Sequence, residues 1–392
     1  MARETWVLGF SRTPFGAFQG ALSGVPAPRL GATAIQGALK NAGATVQDVS
    51  ETIMGMVLPA GVGQAPARQA SLFAGISEEV PAVTVNKVCG SGMKATMLGA
   101  QSIALGESEL VVAGGMENMS QAPYLLAGAR TGLRMGNAPF IDSMVHDGLW
   151  DPYNNQHMGN CAELCAREKR FSREEQDAYA IESFKRAQKA WESGQLAGQV
   201  TPVVIADRKG ETKVEKDEGP WKVKFDKVAT LKPAFDPKGS VTAANASTIN
   251  DGACALILGA AEFAKTKGLK PKARIVATAT HAHKPEWFTT APIGAIQKVC
   301  SRAGWKTDQV DLFEINEAFA VVALAAMKDL SLAASKVNVW GGAISIGHPI
   351  GASGARIVAN LVHQLEVLGL KRGVAAICIG GGEATAIAVE RV

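Results

Sequence analysis

The sequence predicts an α/β fold made of a duplicated unit, with a long insertion in the first copy. Three observations predict it. Short apolar runs bounded by glycine alternate with helical patterns along the chain, and the 42 glycines supply the boundaries. Two stretches, 82–118 and 337–384, share one plan: a buried strand, a tight loop with a Ser-Gly pair, a long helix, a second strand, then Gly-Gly. The third is a difference between the copies. The second runs from Gly380-Gly381-Gly382 straight into the alternating strand ATAIAVERV, whereas after Gly114-Gly115 the matching strand is missing until ACALILGA, beyond Gly252.

In chain order, these signals place an N-terminal half over residues 1–118 and 248–270. An inserted unit fills 119–247, and a C-terminal half spans 271–392. The runs ahead of the repeats also match in kind, VSETIMGMVLP before the first and VDLFEINEAFA before the second. The insertion carries the charge cluster DRKGETKVEKDEGP and one strong amphipathic helix, REEQDAYAIESFKRAQKAWESG. That helix starts behind Ser172 with Glu175 three residues on, a capping-box pattern, and stops at Gly194. Lys265 to Lys272 reads as a linker into the second half.

Composition narrows the function classes. With 392 residues, 47% apolar and 19% charged, the chain buries a sizeable core and is not disordered. The charge balance, 40 minus 36, gives +4 without any block of like charges, so a nucleic-acid arm is not expected. The longest apolar runs end at Glu262 and Lys328, well short of the roughly 20 residues of a membrane span. The N-terminus shows no leader pattern and the C-terminus, VERV, no peroxisomal signal, so a cytoplasmic protein is expected. Six cysteines scattered over such a chain read as reduced thiols.

Four places carry chemistry. Cys89 lies between a strand and the helix SGMKATMLGAQSIAL. There the positive end of the helix is expected to lower its pKa and favour a nucleophilic thiolate. The alternative is a small buried hydrophobe. His348 occupies the corresponding corner of the second repeat, in GGAISIGHPIGASGA. If the halves pack about a pseudo-twofold axis, it can face Cys89 and take its proton. Cys378 precedes the Gly380–Gly382 run, whose N–H groups can face a developing oxyanion, and a thiol there can move a proton. It reads equally as a strand cysteine beside a turn. Asn316 and Glu317 follow the apolar run VDLFEI. Asn316 can orient a water or carbonyl, or it can simply cap the helix AFAVVALAAM. Cys161 and Cys165 lack partners at metal spacing and read as packing residues, and no metal site is expected at His281 and His283. No phosphate-loop or dinucleotide fingerprint occurs.

Taken together, NKVCGSGMKA, NEAFA, GGAISIGHPIGASGAR and CIGGGEA resemble the four active-site loops of the thiolase family, in that family's order, and the resemblance extends over essentially the whole chain. It implies the thiolase fold: two five-stranded mixed-sheet α/β units packed in αβαβα layers, with an inserted loop domain for substrate binding and oligomerisation. It implies an acyltransferase that condenses two acetyl-CoA molecules reversibly into acetoacetyl-CoA and CoA. Cys89 would carry the acetyl group and His348 would take its proton. Cys378 would deprotonate the second acetyl-CoA. One oxyanion hole would use His348 and a water held by Asn316, the other the N–H groups of Cys89 and Gly380. A decarboxylating ketoacyl synthase would want a second histidine where Asn316 stands.

The resemblance is closest to the mitochondrial-type short-chain subgroup. It implies substrate contacts at His157, Met158, Leu231, Phe235, Ala246, Ser247, Phe288, Ala318 and Phe319, with Lys222 and Lys224 near the CoA phosphates. That subgroup's potassium site would draw on carbonyls of Ala243, Ala244, Ala246 and Ile344 plus a tyrosine hydroxyl, but Phe184 stands at the tyrosine position, so no metal is expected. Trp287 and Thr289 also depart from the pattern that accepts a 2-methyl branch. No cofactor is implied, since the CoA thioesters are substrates, and a homotetramer is. The alternatives are a broad 3-ketoacyl-CoA thiolase of fatty-acid degradation and a CoA-binding assembly protein without catalysis.

Overall fold

A computed structural model describes residues 3–207 and 210–392. Arg208 and Lys209, within the charge cluster of the insertion, lie outside the described residues. In the first half the large sheet takes β1 (Thr5–Arg12), β2 (Glu51–Gly55), β3 (Ala82–Val85), β4 (Leu110–Asn118) and β5 (Asn250–Ala260). In the second half it takes β6 (Ala273–Ala282), β7 (Leu312–Ile315), β8 (Arg372–Ile379) and β9 (Glu383–Arg391).

The two halves repeat one pairing scheme. In the first, β2 pairs in parallel with both β3 and β4, and β5 lies antiparallel between β4 and β1. In the second, β7 is parallel to β8, and β9 lies antiparallel between β8 and β6. The counterpart of β3 is reduced to one parallel bridge, Phe313 to Val337. The second unit thus has four full strands where five were expected. The halves also do not form separate sheets. Antiparallel pairing of Trp6 with Arg274 and Val7 with Ala273 joins β1 to β6 into one continuous sheet.

Helices α1 (Ala27–Ala42) and α2 (Pro66–Phe73) share a core with the outer face of the first half. Helix α3 (Ser91–Leu105) shares the central core with strands of both halves. The insertion leaves β4 at Asn118 and returns at Asn250, and the two strands pair with Asp251 opposite Asn118. Within it, α4 (Met158–Lys169) follows the short hairpin of Trp150–Asp151 and Gln156–His157. The expected amphipathic helix is α5 (Arg173–Glu192), with both capping-box hydrogen bonds between Ser172 and Glu175 present. Beyond it, α6 (Ala291–Ala303) and α7 (Ala320–Leu330) cover the outer face of the second half, and α8 (Ile350–Val367) lies beside α3 in the centre.

The central pair sets the geometry of the molecule. A Cβ on Gly92 would lie 2.9 Å from the Ala355 nitrogen and the Gly351 oxygen, and one on Gly354 would lie 2.5 Å from the Met93 nitrogen. The two backbones therefore touch at the Ser-Gly pairs of the repeats, and both helix N-termini meet at one point. Gly354→Val should lower stability by about 3 kcal/mol or more, because its new atoms would meet backbone. Gly24→Ala, at a position with nothing within 4 Å, should stay within about 0.5 kcal/mol. Urea unfolding midpoints of the two variants check this.

Candidate active site

The loops that open at the helix crossing enclose a chamber of about 250 Å³. Cys89, His348 and Gly380 line it together with His157, Met158, Phe288, Ala318 and Phe319. Through Phe235, Ala246 and Ser247, which line both, it adjoins an outer cavity of about 660 Å³ that is also lined by Lys222, Lys224 and Leu231. The expected residues thus fall into an inner group and an outer group. Asn316 and Cys378 line neither cavity. Both are buried beside the chamber, Cys378 next to Cys89 and Ala318.

Cys89 sits in the short loop between β3 and α3. The Gly380 N–H lies near its sulfur. The expectation of a lowered pKa is overturned: burial pushes the Cys89 thiol up to about 11, and the Gly380 N–H offsets only part of this. The cysteine stands two positions ahead of Ser91, where the helix begins, so the helix end is too weak to win against desolvation. Burial, and then the neighbouring Cys89, push the Cys378 thiol up as well. Asn316 and the Ala318 backbone temper this.

His348 is buried, and its Nδ1 lies 2.6 Å from Ser353 Oγ. The Ser353 hydroxyl donates to the Pro349 carbonyl at 2.9 Å, so it accepts from Nδ1–H. That hydrogen-bond pattern assigns the tautomer and leaves the Nε2 lone pair free, and Nε2 has no partner. Burial, aided by the charge of Arg356, holds the imidazole down to about 3, so it is neutral. Asn316 does not cap α7, whose N-cap residue is Phe319. Both polar atoms of its side chain are buried without a hydrogen-bond partner, so they remain available to a ligand or water.

Three residues that hold the site escaped the sequence reading. Glu117, inside β4, accepts from Val57 and Gly351 N–H groups at 2.9 Å and from Leu58 at 3.1 Å. It ties the first half to the start of α8, and burial raises its carboxyl to about 7. Asn250 accepts from the His348 N–H at 2.9 Å and donates to the Gly16 carbonyl at 2.9 Å. Ser353 is the third. A charged residue within the apolar run LVVAGGMEN was the one available signal for Glu117.

Aromatic rings wall the chamber. His157 stacks on Phe235 with centroids 4.7 Å apart, and Phe319 meets the edges of Phe235 and Phe288 at 6.0 and 6.3 Å. Phe184 lines the outer cavity with Ala243, Ala244, Ala246 and Ile344. The donor set implied for potassium therefore lacks its hydroxyl here and does not fit. Cys161 and Cys165 are buried packing residues with unpaired sulfurs. Among the described residues no group of three His, Cys, Asp or Glu side chains is placed to hold a metal, and no helix is long and apolar enough to cross a membrane.

Below a pKa of about 11 the thiolate fraction rises about tenfold per pH unit. Alkylation of Cys89 in the free protein should therefore climb steadily from neutral pH without a plateau before about pH 10. Iodoacetamide kinetics with site mapping by mass spectrometry check this. A plateau near neutrality would indicate a preformed thiolate.

Comparisons with known proteins agree with this geometry. The thiolase N-terminal domain family matches residues 5–262 and the thiolase C-terminal domain family residues 269–391. An acetyl-CoA acetyltransferase of Pseudomonas aeruginosa is 48% identical over 391 residues, covering 99% of this chain and 100% of that protein. A mitochondrial acetyl-CoA acetyltransferase of Danio rerio is 50% identical over 390 residues, covering 99% and 92%. The crystal structure of the Bacillus anthracis acetyl-CoA acetyltransferase superposes with a TM-score of 0.97 at 40% identity, over 100% of this chain and 99% of that one. With both family domains matched in order and the fold shared end to end, the chain belongs to the thiolase family.

Proposed function

We propose that this protein is an acetyl-CoA C-acetyltransferase that joins two acetyl-CoA molecules into acetoacetyl-CoA and CoA, reversibly, through acetylated Cys89. The single observation that carries the reading is the neutral set at one point: a half-buried thiol near the Gly380 N–H, a buried imidazole with its Nε2 free, and a buried second thiol beside the first. The names and full-length similarity of the relatives support it.

The chemistry balances on these groups. The Cys89 sulfur attacks the thioester carbonyl while its proton passes to His348 Nε2. The carbon–sulfur bond to CoA breaks, and the leaving thiolate takes the proton of Cys378. In the second half-reaction the Cys378 thiolate removes a proton from the methyl of another acetyl-CoA. Desolvation makes that thiolate a strong base. The enolate carbon attacks the acetyl group, the bond to Cys89 breaks, and His348 returns the proton. The Gly380 N–H serves one oxyanion, and His348 with a water on Asn316 serves the other. No cofactor is required, because the thioester is the electrophile and the side chains supply nucleophile and base.

The aromatic wall around a chamber of about 250 Å³ favours a short acyl chain over a broad 3-ketoacyl-CoA range. The outer cavity, with Lys222 and Lys224 on its lining, suits the pantetheine and the CoA phosphates. A homotetramer and a cytoplasmic location belong to the same proposal. The exposed Leu133, Met135 and Phe140 of the insertion support association, and unpaired sulfurs throughout support a reducing compartment.

Cys89→Ala should abolish both acetylation and condensation while CoA still binds. Cys378→Ser should still accept the acetyl group on Cys89 but condense and cleave at least about 100-fold more slowly. Mass spectrometry of the acyl-enzyme, together with thiolysis rates on a 3-ketoacyl-CoA series, separates the outcomes. Normal turnover by Cys89→Ala would remove the nucleophile, and equal rates on long chains would move the protein to the broad class.

A further inference from the structure

The loop bearing Cys89 and the turn bearing Gly380 come from opposite halves of the molecule, and they meet at three places. The Gly380 N–H lies close to the Cys89 sulfur. A Cβ on Gly90 would lie 2.4 Å from Ile379 Cδ1, so the loop backbone rests against that side chain. Lys87 forms an ion pair with Glu383. Of these residues only Cys89 and Gly380 line the chamber. The third contact lies outside the lining, with side chains 24% and 35% exposed.

The pair gains its reach from the stiffness of the loop. The Lys87 N–H donates to Ser91 Oγ at 2.8 Å, and that hydroxyl donates to the Val88 carbonyl at 2.6 Å. The Val88 N–H donates to Asn86 Oδ1 at 3.0 Å, and the Gly90 N–H to the Lys87 carbonyl at 3.0 Å. Between these ties Val88 holds a φ of 45°, a left-handed conformation that a β-branched side chain resists. Residues 86–91 therefore move as a unit, and a displacement of Lys87 carries Cys89 with it. On the other side Glu383 is the first residue of β9. It follows the Gly380–Gly382 turn directly and is held in the sheet opposite Ile379 and Ala282.

We propose that the Lys87–Glu383 ion pair is a positioning device that keeps the Gly380 N–H on the Cys89 sulfur across the seam between the halves. The proposal rests on the reading of Cys89 as nucleophile and Gly380 as its oxyanion donor. Neither member of the pair touches substrate. A partly exposed ion pair contributes little to global stability, so its effect belongs in the alignment of the two loops.

The test uses Glu383→Gln, Lys87→Met and the charge swap Lys87→Glu/Glu383→Lys in the full-length protein. Two quantities are read: the rate constant of Cys89 alkylation by iodoacetamide at one mildly alkaline pH, and kcat and KM for thiolysis of acetoacetyl-CoA. In Glu383→Gln alkylation should slow about threefold and kcat fall about fivefold with KM unchanged, as expected for a weakened donor to the sulfur. The charge swap should return both to within about twofold of the parent. The direct effect of deleting a carboxylate has the opposite sign, because it would ease thiolate formation and speed alkylation. Alkylation that is unchanged or faster in Glu383→Gln overturns the proposal, as does an unchanged kcat, or a charge swap as slow as the single variants. Alkylation does not depend on turnover, so a failure of the nucleophile reading shows separately, as activity in Cys89→Ala.

Discussion

Two helix backbones in contact at Gly92 and Gly354 are the constraint on which the rest of this molecule depends. Helices cross this closely only where no Cβ intervenes. The close crossing brings the starts of α3 and α8, one from each half, to a single point. The loops ahead of them carry Cys89 and His348, so the catalytic pair is a by-product of the packing of the repeat. Glu117 reinforces the arrangement by binding N–H groups of both halves through one carboxylate. Any side chain inserted at the crossing would push the loops apart before it disturbed either of them internally.

The second theme is desolvation. Cys89, Cys378, His348 and Glu117 are all shifted toward their neutral forms, and in each the leading cause is burial. With Cys89, Cys378 and His348 uncharged at rest, an acyl thioester, itself uncharged at the reacting carbon, meets no ion among them. Charge then appears only during reaction, where the Gly380 N–H and the free Nε2 of His348 already face it. The resting thiols are poor nucleophiles until substrate and imidazole act together, which limits side reactions with other electrophiles.

Much of this was legible in the residues. Periodicity and the repeat placed the strands, the two central helices and the insertion, because glycine-bounded apolar runs and a capping box are local signals. The corner positions of Cys89 and His348 followed from the duplication. Other features depend on distances the sequence does not carry. The joining of the sheets by two residue pairs is a tertiary contact, and the shrinkage of one strand to a bridge at Val337 reflects what packs beside it. At Cys89 desolvation outweighs the pull of the helix end, and its strength depends on surroundings that only the fold supplies. Glu117, Asn250 and Ser353 act on atoms far along the chain or on a tautomer. Only Glu117 left a trace, as a charge within an apolar strand.

The path of the chain through the first half has a consequence for how the protein is made. Strand β5 lies between β4 and β1 in the sheet, yet residues 119–249 are synthesised before it. A ribosome that has released the first 118 residues has therefore delivered a sheet with a gap at its centre, and β1 and β4 present open edges to whatever else is nearby. The whole insertion must emerge before the strand that closes this gap can enter. The vulnerable interval in the life of the molecule is thus the time taken to translate its own insertion, and binding of a chaperone to the nascent chain would matter most there.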